Sequence, residues 1–413
     1  MSPTPHDGAP MPVATPPDAL SRFDRSSPVR SVDADDERGP TVGNALCLSG
    51  GGYRAMLFHL GALWRLNELG WLRKLNRISS VSGGSIMAGA LALAWPRLDF
   101  GDDDIARGFG ASVVDRVRAL ARRTIDVKSV IRGILWRGTI AERVAKAYDE
   151  YLFEGRTLQD LPDERPGVAP RFVFNASNVQ SGVLFRFSKP YARDWRVGKI
   201  ERPTLPLSLA VAASSAFPPP LSPLVLKLQE TDYTPGTGRD LQRPPFTTRP
   251  MLTDGGVYDN LGLETAWKRY RTIFVSDGGG QMAASAEPHR DWARHSKRIL
   301  DLIDNQVRSL RKRQVLDAFG LPRDDGPAWR NGSYWGIRTN IRDYGLPDSL
   351  PCPHEKTLAL AAEPTRLAKI DVRRQERIIN WGYAVCDAAM RRWVLTGEVV
   401  RAPRFPYESA GLG

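Results

Sequence analysis

The sequence predicts an α/β fold in which helices cover both faces of a mainly parallel sheet. Two neighbouring segments lead to this prediction. Residues 44–48 form a short apolar run that precedes a glycine-rich turn, and a helical pattern follows at 53–69. Residues 77–81 repeat the arrangement, with a second glycine turn before a helix of small residues at 85–94. Short strands that alternate with helices are typical of parallel sheets buried on both sides.

Weaker patterns predict the remaining elements. A helical pattern extends over residues 103–153, and no internal repeat is present. Further short strands are predicted at 171–174, 183–187, 250–253 and 272–276, a helix at 261–270, and long amphipathic helices at 291–316 and 371–395.

These elements divide the 413-residue chain into four parts. Residues 1–40 are rich in Pro, Ser, Thr, Asp and Arg, a mixture that cannot offset its conformational entropy by burial, and they predict a disordered tail. Residues 41–285 predict the α/β core, which carries a polar inserted loop at 229–249. Residues 286–400 predict a mainly helical part packed on this core, and 401–413 a C-terminal tail.

Net charge and composition limit the classes of binding partner that the sequence predicts. The net charge of +12 favours an anionic partner, which could be a phospholipid surface or a nucleic acid, or it serves solubility alone. Beyond charge no nucleic-acid motif is found, and aromatic residues are not interleaved with the basic run at 297–314, so no nucleic-acid partner is predicted. No run of about 18 apolar residues occurs, and the polar start lacks a Sec signal pattern. We therefore expect a cytoplasmic protein that can lie at a membrane surface.

Metal-binding motifs are not found in the sequence. The three cysteines, Cys47, Cys352 and Cys386, are far apart and form no CxxC pair, which argues against a zinc site or a disulfide scaffold. Calcium loops of the D-x-D-x-D-G type are not found either. The sequence therefore predicts no metal and no cofactor.

Ser82 is the candidate nucleophile. It lies in Ser-Ser-Val-Ser-Gly-Gly at the junction of a predicted strand and helix, where a nucleophile elbow exposes its hydroxyl on a sharp turn. The usual pattern is G-x-S-x-G, and here Ser80 takes the place of the leading glycine. The helix start favours negative charge beside the serine, although Ser82 could instead only cap that helix. Ser85 is a second serine, but one turn into the helix it should point elsewhere.

A glycine turn upstream is a candidate oxyanion hole. Gly50, Gly51 and Gly52 present consecutive amides at a helix start, and Arg54 could hold the loop or add positive charge. The same residues fit a dinucleotide fingerprint, but that motif requires an acid about 20 positions on, at the end of the second strand. Ser82 occupies this place. A plain tight turn is the remaining alternative.

Asp254 is the candidate general base. It follows a short strand and precedes two glycines, and an aspartate in this position can take a serine proton without a histidine. An Asx turn is the alternative interpretation, and Asp277, in a similar Asp-Gly-Gly-Gly sequence, is the rival acid. The five histidines have no motif around them, which favours a dyad over a triad. They are His6, His59, His289, His295 and His354.

Taken in order, the glycine turn with Arg54, Ser82 in its elbow and Asp254-Gly-Gly resemble the patatin-like phospholipases over residues 43–280. The proline-ended segment 213–220 is similar to the one that precedes the acid in that family. The resemblance implies a three-layer α/β/α sandwich, a Ser82–Asp254 dyad and an oxyanion hole built from the glycine turn. It also implies hydrolysis of acyl esters in phospholipids or other lipids, at a peripheral membrane surface. Ser80 departs from the family pattern.

Other functions stay open at this point. A non-catalytic membrane- or partner-binding protein could keep the same fold with a poorly formed elbow, and an acyltransferase could use the same serine. A dinucleotide-binding oxidoreductase is the weakest alternative. The apolar stretch 125–136 could line an acyl pocket, rest on a membrane or pack in the core, and the basic residues of 297–314 could attract anionic head groups or face solvent.

Overall fold

The computed structural model describes residues 40–125, 139–323 and 328–413. Residues 1–39 of the predicted tail 1–40 and most of the apolar stretch 125–136 lie outside these residues. The strands are β1 (Thr41–Leu48), β2 (Arg77–Ser80), β3 (Asp99–Phe100), β4 (Ala106–Arg107), β5 (Arg171–Asn178), β6 (Val183–Phe187), β7 (Tyr191–Asp194), β8 (Gly198–Glu201), β9 (Leu224–Val225), β10 (Met251–Asp254), β11 (Tyr270–Asp277) and β12 (Asn331–Gly336). The α-helices are α1 (Gly52–Glu68), α2 (Gly83–Ala94), α3 (Asp115–Ala121), α4 (Ile140–Tyr148), α5 (Leu207–Ser214), α6 (Gly256–Asp259), α7 (Glu264–Trp267), α8 (Trp292–Phe319), α9 (His354–Ala361) and α10 (Val372–Trp393).

One ten-stranded sheet organises the described residues. Its main path runs β12-β11-β1-β2-β5-β6-β7-β8, and β10 pairs with both β5 and β9. The first five strands of the path are mutually parallel, whereas β6, β7 and β8 continue as an antiparallel meander. The small strands β3 and β4 form a separate pair.

Helices cover both faces of this sheet, as the alternation of side chains along β1 shows. Leu46 and Leu48 point into the larger core with residues of α1, α2 and α10. Ala45 and Cys47 point to the other face and pack with residues of α7, β11 and α8. A strand buried on both faces must be apolar throughout, which explains the continuous run in the sequence. The predicted three-layer α/β/α fold is thereby confirmed.

The helix α10 packs against α1 in the larger core. A buried ion pair joins the two helices, in which the guanidinium of Arg65 lies 2.7 Å from the carboxylate of Asp387. Arg65 also donates to the hydroxyl of Tyr383 and to the carbonyl oxygen of Arg401. These bonds satisfy the donors of the buried Arg65 guanidinium. A buried charge is stable only when it is paired and hydrogen-bonded in this way.

Several differences from the predicted elements are local. The helix predicted at 261–270 is limited to α7, because β11 already begins at Tyr270, and the short strands β3, β4 and β9 were not predicted. Residues 103–153 are not one helical stretch, because β4 lies within them and π-helical turns at Gly110–Val114 and Asp149–Phe153 adjoin α3 and α4. The strands β7, β8 and β12 were not predicted, since their sequences lack a strong apolar pattern. None of the described helices has the length and apolar content needed to cross a bilayer.

Candidate active site

Ser82 occupies a strained turn between β2 and α2. Its backbone has φ 51° and ψ −118°, a left-handed region that costs a non-glycine residue about 1–3 kcal/mol. Hydrogen bonds hold the residue in place. Its amide donates to the carbonyl oxygen and the hydroxyl of Ser214, at 3.2 and 3.1 Å, and its own carbonyl accepts from the amides of Ser85 and Ile86. This is the backbone geometry that a nucleophile elbow requires.

The two glycines after Ser82 are required by crowding. A β-carbon at Gly83 would lie 2.2 Å from the carbonyl oxygen of Gly52, and one at Gly84 would lie 2.3 Å from that of Leu48. The elbow therefore packs directly against the upstream glycine turn. Only residues without side chains allow this approach.

Ser80, the departure from the usual elbow sequence, fits its position. Its hydroxyl donates to the carbonyl oxygen of Val173 at 3.1 Å and accepts from the hydroxyl of Ser85 at 3.0 Å. The Ser85 hydroxyl also lies 2.8 Å from that of Ser214, which in turn donates to the carbonyl oxygen of Asn175. Ser85 is thus buried in a structural network beneath the elbow, and its hydroxyl is not directed to the surface.

Strand pairing explains why Asp254 lies beside Ser82. The strand β6 occupies one edge of β5 along residues 174–178, so β2 and β10 must share the other edge. On that edge Ser80 pairs with Phe174 in parallel, and Asp254 pairs with Ala176 in antiparallel orientation. The two strands therefore run toward each other and end at the same place.

Asp254 is buried and has the pKa of a base that works near neutral pH. The Gly256 amide donates a hydrogen bond to its carboxylate at 2.7 Å, and the Ser82 hydroxyl lies close enough to lower its pKa. Burial raises the pKa of Asp254 to about 7, although the Gly256 amide and the Ser82 hydroxyl act in the opposite direction. The nearby carboxylate of Asp304 on α8 adds to the increase. Such a shift is typical of functional sites.

The amides of the glycine turn differ in what they bind. The Gly50 amide donates to the carbonyl oxygen of Asn260 at 3.0 Å and also lies 3.1 Å from its side-chain oxygen. The amides of Gly51 and Gly52 have no acceptor among the described residues, and the same holds for Gly83. Positive φ angles of 143° and 60° orient Gly51 and Gly52. The sequence analysis did not assign Gly83 or Asn260 to the candidate site, although Gly83 directly follows the nucleophile candidate.

Arg54, in the first turn of α1, binds segments that lie far from it in sequence. Its buried guanidinium donates to the carbonyl oxygen of Gly278 at 3.2 Å, to the hydroxyl of Thr365 at 3.0 Å and to the carbonyl oxygen of Glu363. Burial, together with the nearby charge of Arg308, lowers its pKa to about 10. These contacts anchor the start of α1, which adjoins the glycine turn, to residues 278 and 363–365.

The rival acid, Asp277, has a different environment. Its carboxylate accepts from the hydroxyl of Tyr334 at 2.7 Å and from the Gly279 amide at 2.9 Å. Burial raises the pKa of Asp277, but Arg308 and these hydrogen bonds outweigh burial and hold it below its ordinary value. Asp277 lines a separate polar cavity of about 320 Å³ that also includes Lys312. An acid held ionised in this way is a weak proton acceptor.

His59, which lies in α1, is engaged in structural bonds. Its Nε2 lies 2.9 Å from the carbonyl oxygen of Ser49, so this nitrogen must carry the proton, and Nδ1 accepts from the hydroxyl of Ser276 at 2.8 Å. Burial lowers its pKa to about 4. Among the described residues, no group of three or more His, Cys, Asp or Glu side chains is arranged to hold a metal ion.

Comparisons with known proteins agree with this architecture. A family model described as patatin-like phospholipase matches residues 46–267, more than half of the chain. The structure of human GIVD cytosolic phospholipase A2 is similar with a TM-score of 0.50 at 14% identity, covering 85% of this chain and 60% of that one. The chain thus spans about 60% of the length of that human enzyme.

Two bacterial structures are more distant. VipD from Legionella pneumophila has a TM-score of 0.32 at 14% identity, with 84% of this chain and 67% of that one covered. The ExoU-SpcU complex of Pseudomonas aeruginosa has a TM-score of 0.21 at 15% identity, with 91% of this chain and 75% of that one covered. A search of curated protein sequences finds no match.

Proposed function

Because the chain belongs to the patatin-like phospholipase family, we propose that it hydrolyses acyl ester bonds of lipids through a Ser82–Asp254 dyad. One observation carries the proposal. The hydroxyl of a serine in an elbow turn lies beside a buried carboxylate, close enough to lower its pKa, with no histidine between them. This contact gives the proton of Ser82 a direct acceptor.

The proposed reaction has two halves. The Ser82 oxygen attacks the acyl carbonyl while Asp254 takes the hydroxyl proton, and the lipid alcohol leaves with that proton. Water then attacks the acyl-enzyme, giving up a proton to Asp254, and the fatty acid is released as Ser82 regains its hydrogen. Each half passes through a tetrahedral oxyanion. We assign the amides of Gly51 and Gly52, joined by that of Gly83, as its donors, since these amides have no other acceptor among the described residues.

The environment of Asp254 suits both steps. A general base must be ionised to accept a proton, yet a strongly acidic group accepts it poorly. With a pKa near 7, Asp254 is ionised in about half of the molecules at neutral pH and is still basic enough to assist the attack. Burial supplies this property, since the low-polarity surroundings disfavour the charged form.

The proposed substrate is a phospholipid or another acyl-ester lipid at a membrane surface. The net charge of +12 favours an anionic surface over a zwitterionic one. Neither a nucleic acid nor a cofactor takes part in the proposed reaction.

The test combines active-site labelling with turnover. Wild-type protein is treated with a fluorophosphonate, which reacts with activated serines, and assayed on a p-nitrophenyl ester and on phospholipid vesicles. We expect Ser82→Ala to lose labelling and turnover by at least about 10³-fold, and Asp254→Asn to lose turnover to a similar degree. Ser85→Ala and Asp277→Asn are the matched controls, and both should stay within about tenfold of wild type.

Two outcomes would overturn the proposal. Labelling that persists in Ser82→Ala would place the reactive serine elsewhere. Wild-type protein that is inert on both substrates and unlabelled, while folded by circular dichroism, would favour the non-catalytic binding protein on the same fold.

A further inference from the structure

The long helix α8 is amphipathic, but its apolar side faces solvent. Trp292, Ile299, Ile303 and Leu310 follow one another at intervals of seven, four and seven residues, which places them on one stripe of a helix. This stripe faces outward, with exposed fractions between 42% and 83%. Helices on protein surfaces normally bury such a stripe and expose the opposite one.

The polar face of α8 is the one that packs on the protein. Arg311 forms an ion pair with Glu264 at 2.9 Å, and the Lys312 ammonium lies 4.7 Å from the ring centroid of Tyr334. Asp304 is partly buried on the same side, and Val315 is fully buried there. The orientation of α8 is therefore fixed by charged contacts, and its apolar stripe is left without a partner in the described part of the chain.

Seven of the large apolar side chains exposed in the described residues belong to this one helix. Single exposed apolar residues are normal, but a contiguous group of them marks an interaction surface. Leu300 and Leu302, each about half exposed, widen the stripe on either side. The surface thus needs a partner that accepts an apolar ridge.

Charge around the stripe indicates which partner. Residues 290–319 contain eight Lys and Arg side chains against four Asp, a net charge of +4. Arg290 and Arg313, at the two ends of the stripe, are exposed and form no ion pair with any described residue. Apolar side chains flanked by cations are the combination that binds anionic lipid bilayers, where the ridge enters the acyl boundary and the cations contact head groups.

The position of α8 connects this surface with the candidate active site. The helix packs against α6, which begins two residues after Asp254, and its Asp304 is close enough to raise the pKa of that acid. Lys297 lies 5.9 Å from the ring centroid of Phe217, whose neighbour Ala216 accepts a hydrogen bond from the Asp254 amide. Phe217 is itself exposed. A bilayer that receives the stripe would therefore be separated from the candidate active site by the width of α8.

We propose that the outer stripe of α8, formed by Trp292, Ile299, Ile303 and Leu310, is a docking surface for anionic lipid bilayers. Its use in delivering substrate rests on the proposed lipid hydrolysis, whereas bilayer binding itself does not. The stripe enters the bilayer, and Arg290 and Arg313 contact anionic head groups at its ends.

The experiment measures vesicle binding and soluble turnover in parallel. Full-length protein is sedimented with vesicles of phosphatidylcholine alone or with roughly one third phosphatidylglycerol. We expect wild type to bind the anionic vesicles at least about tenfold more tightly, and added salt to weaken this binding. Ile299→Ser with Ile303→Ser should reduce binding about tenfold or more, and Arg290→Glu with Arg313→Glu should remove the preference for anionic lipid.

A matched control uses exposed apolar residues elsewhere. Val42 and Val399 are at least 92% exposed and lie outside α8, so Val42→Ser with Val399→Ser should bind vesicles like wild type. Hydrolysis of a soluble ester should stay within about twofold in all these variants, because none of the residues contacts Ser82 or Asp254. If the wild type does not hydrolyse the soluble ester, the proposed function is contradicted. The docking proposal is not affected, because it is tested by vesicle binding alone.

The docking proposal has its own contrary outcomes. Unchanged vesicle binding in the Ile299→Ser, Ile303→Ser variant would exclude the stripe as the docking surface. If wild type is a dimer by sedimentation equilibrium and the same variant is a monomer with unaltered vesicle binding, a second copy of the chain covers the stripe.

Discussion

Gly382 of α10 lies against the backbone of Phe58 on α1, so closely that a β-carbon at position 382 would be 2.0 Å from the Phe58 carbonyl oxygen. The contact is reciprocal. A β-carbon at Gly61 of α1 would be 2.0 Å from the carbonyl oxygen of Ile379. Two helices of the larger core thus cross with their backbones in contact, and a glycine on each helix makes this crossing possible.

Gly382→Ala should destabilise the fold because the added methyl group forces α10 away from α1. Overpacking of a rigid backbone contact typically costs about 1–3 kcal/mol, and more when the neighbours cannot move. Urea unfolding should show this loss as a lower midpoint. Gly110→Ala is the control, since a β-carbon there meets nothing within 4 Å, and equal midpoints for both variants would contradict the crossing.

Ser80→Gly should leave catalysis largely intact. The hydroxyl of Ser80 adds one hydrogen bond to Val173 and receives one from Ser85, but Ser85 keeps its contact with Ser214. The variant restores the usual elbow sequence, so we expect ester turnover within about threefold of wild type and a stability loss of about 1 kcal/mol. A large gain in turnover would show that Ser80 impairs the elbow, which is the feature that favoured a non-catalytic protein.

The sequence allowed Ser82 and Asp254 to be predicted because their signals are local. Each residue ends a short strand and precedes glycines, so a few neighbouring residues suffice to identify the turn. Their meeting is also implied by the resemblance to a family. The pairing that brings them together depends on β5, whose two edges are shared by three other strands, and no local pattern predicts that arrangement.

Partners distant in sequence explain what could not be predicted. The Gly50 amide binds Asn260, 210 positions away, and Arg54 binds Thr365, 311 positions away, so neither role can be read from the glycine turn itself. The basic residues of α8 were predicted to face head groups or solvent. Several of them instead face the protein, because Arg311 pairs with Glu264 and Lys312 lies over the ring of Tyr334. The apolar stripe of α8 therefore faces outward.

The pH dependence of turnover should report Asp254. Since the base must be ionised and burial raises its pKa to about 7, kcat/KM on a neutral soluble ester should rise with pH, reach half of its maximum near pH 7 and level off above about pH 8. Asp304→Asn removes a carboxylate that raises this pKa, so its profile should shift to lower pH. A profile that is flat between about pH 5 and 8 would contradict the assignment of Asp254 as the base.

Asp254→Asn should stabilise the protein at alkaline pH even as it abolishes turnover. The folded pKa of Asp254, about 7, lies above the ordinary value, so the folded state holds a proton that the unfolded state releases near pH 4. Stability is therefore lost as pH rises from about 4 to 7, and the full cost of the buried charge is present above that range. Removing the charge should add on the order of 2–4 kcal/mol to the free energy of unfolding at about pH 8, and little at about pH 4.

Asp277→Asn should lower the free energy of unfolding at alkaline pH, where Asp254→Asn should raise it. Asp277→Asn is therefore the control for this prediction. Its folded pKa lies below the ordinary value because Arg308, Tyr334 and Gly279 stabilise the carboxylate, so the ionised form stabilises the fold. That contribution is present above the unfolded pKa and is lost as pH falls through the folded one. Urea unfolding at about pH 8 should therefore show Asp254→Asn above wild type and Asp277→Asn below it. Equal shifts in one direction would mean that the two acids share one environment, and the distinction between them as base and structural carboxylate would fail.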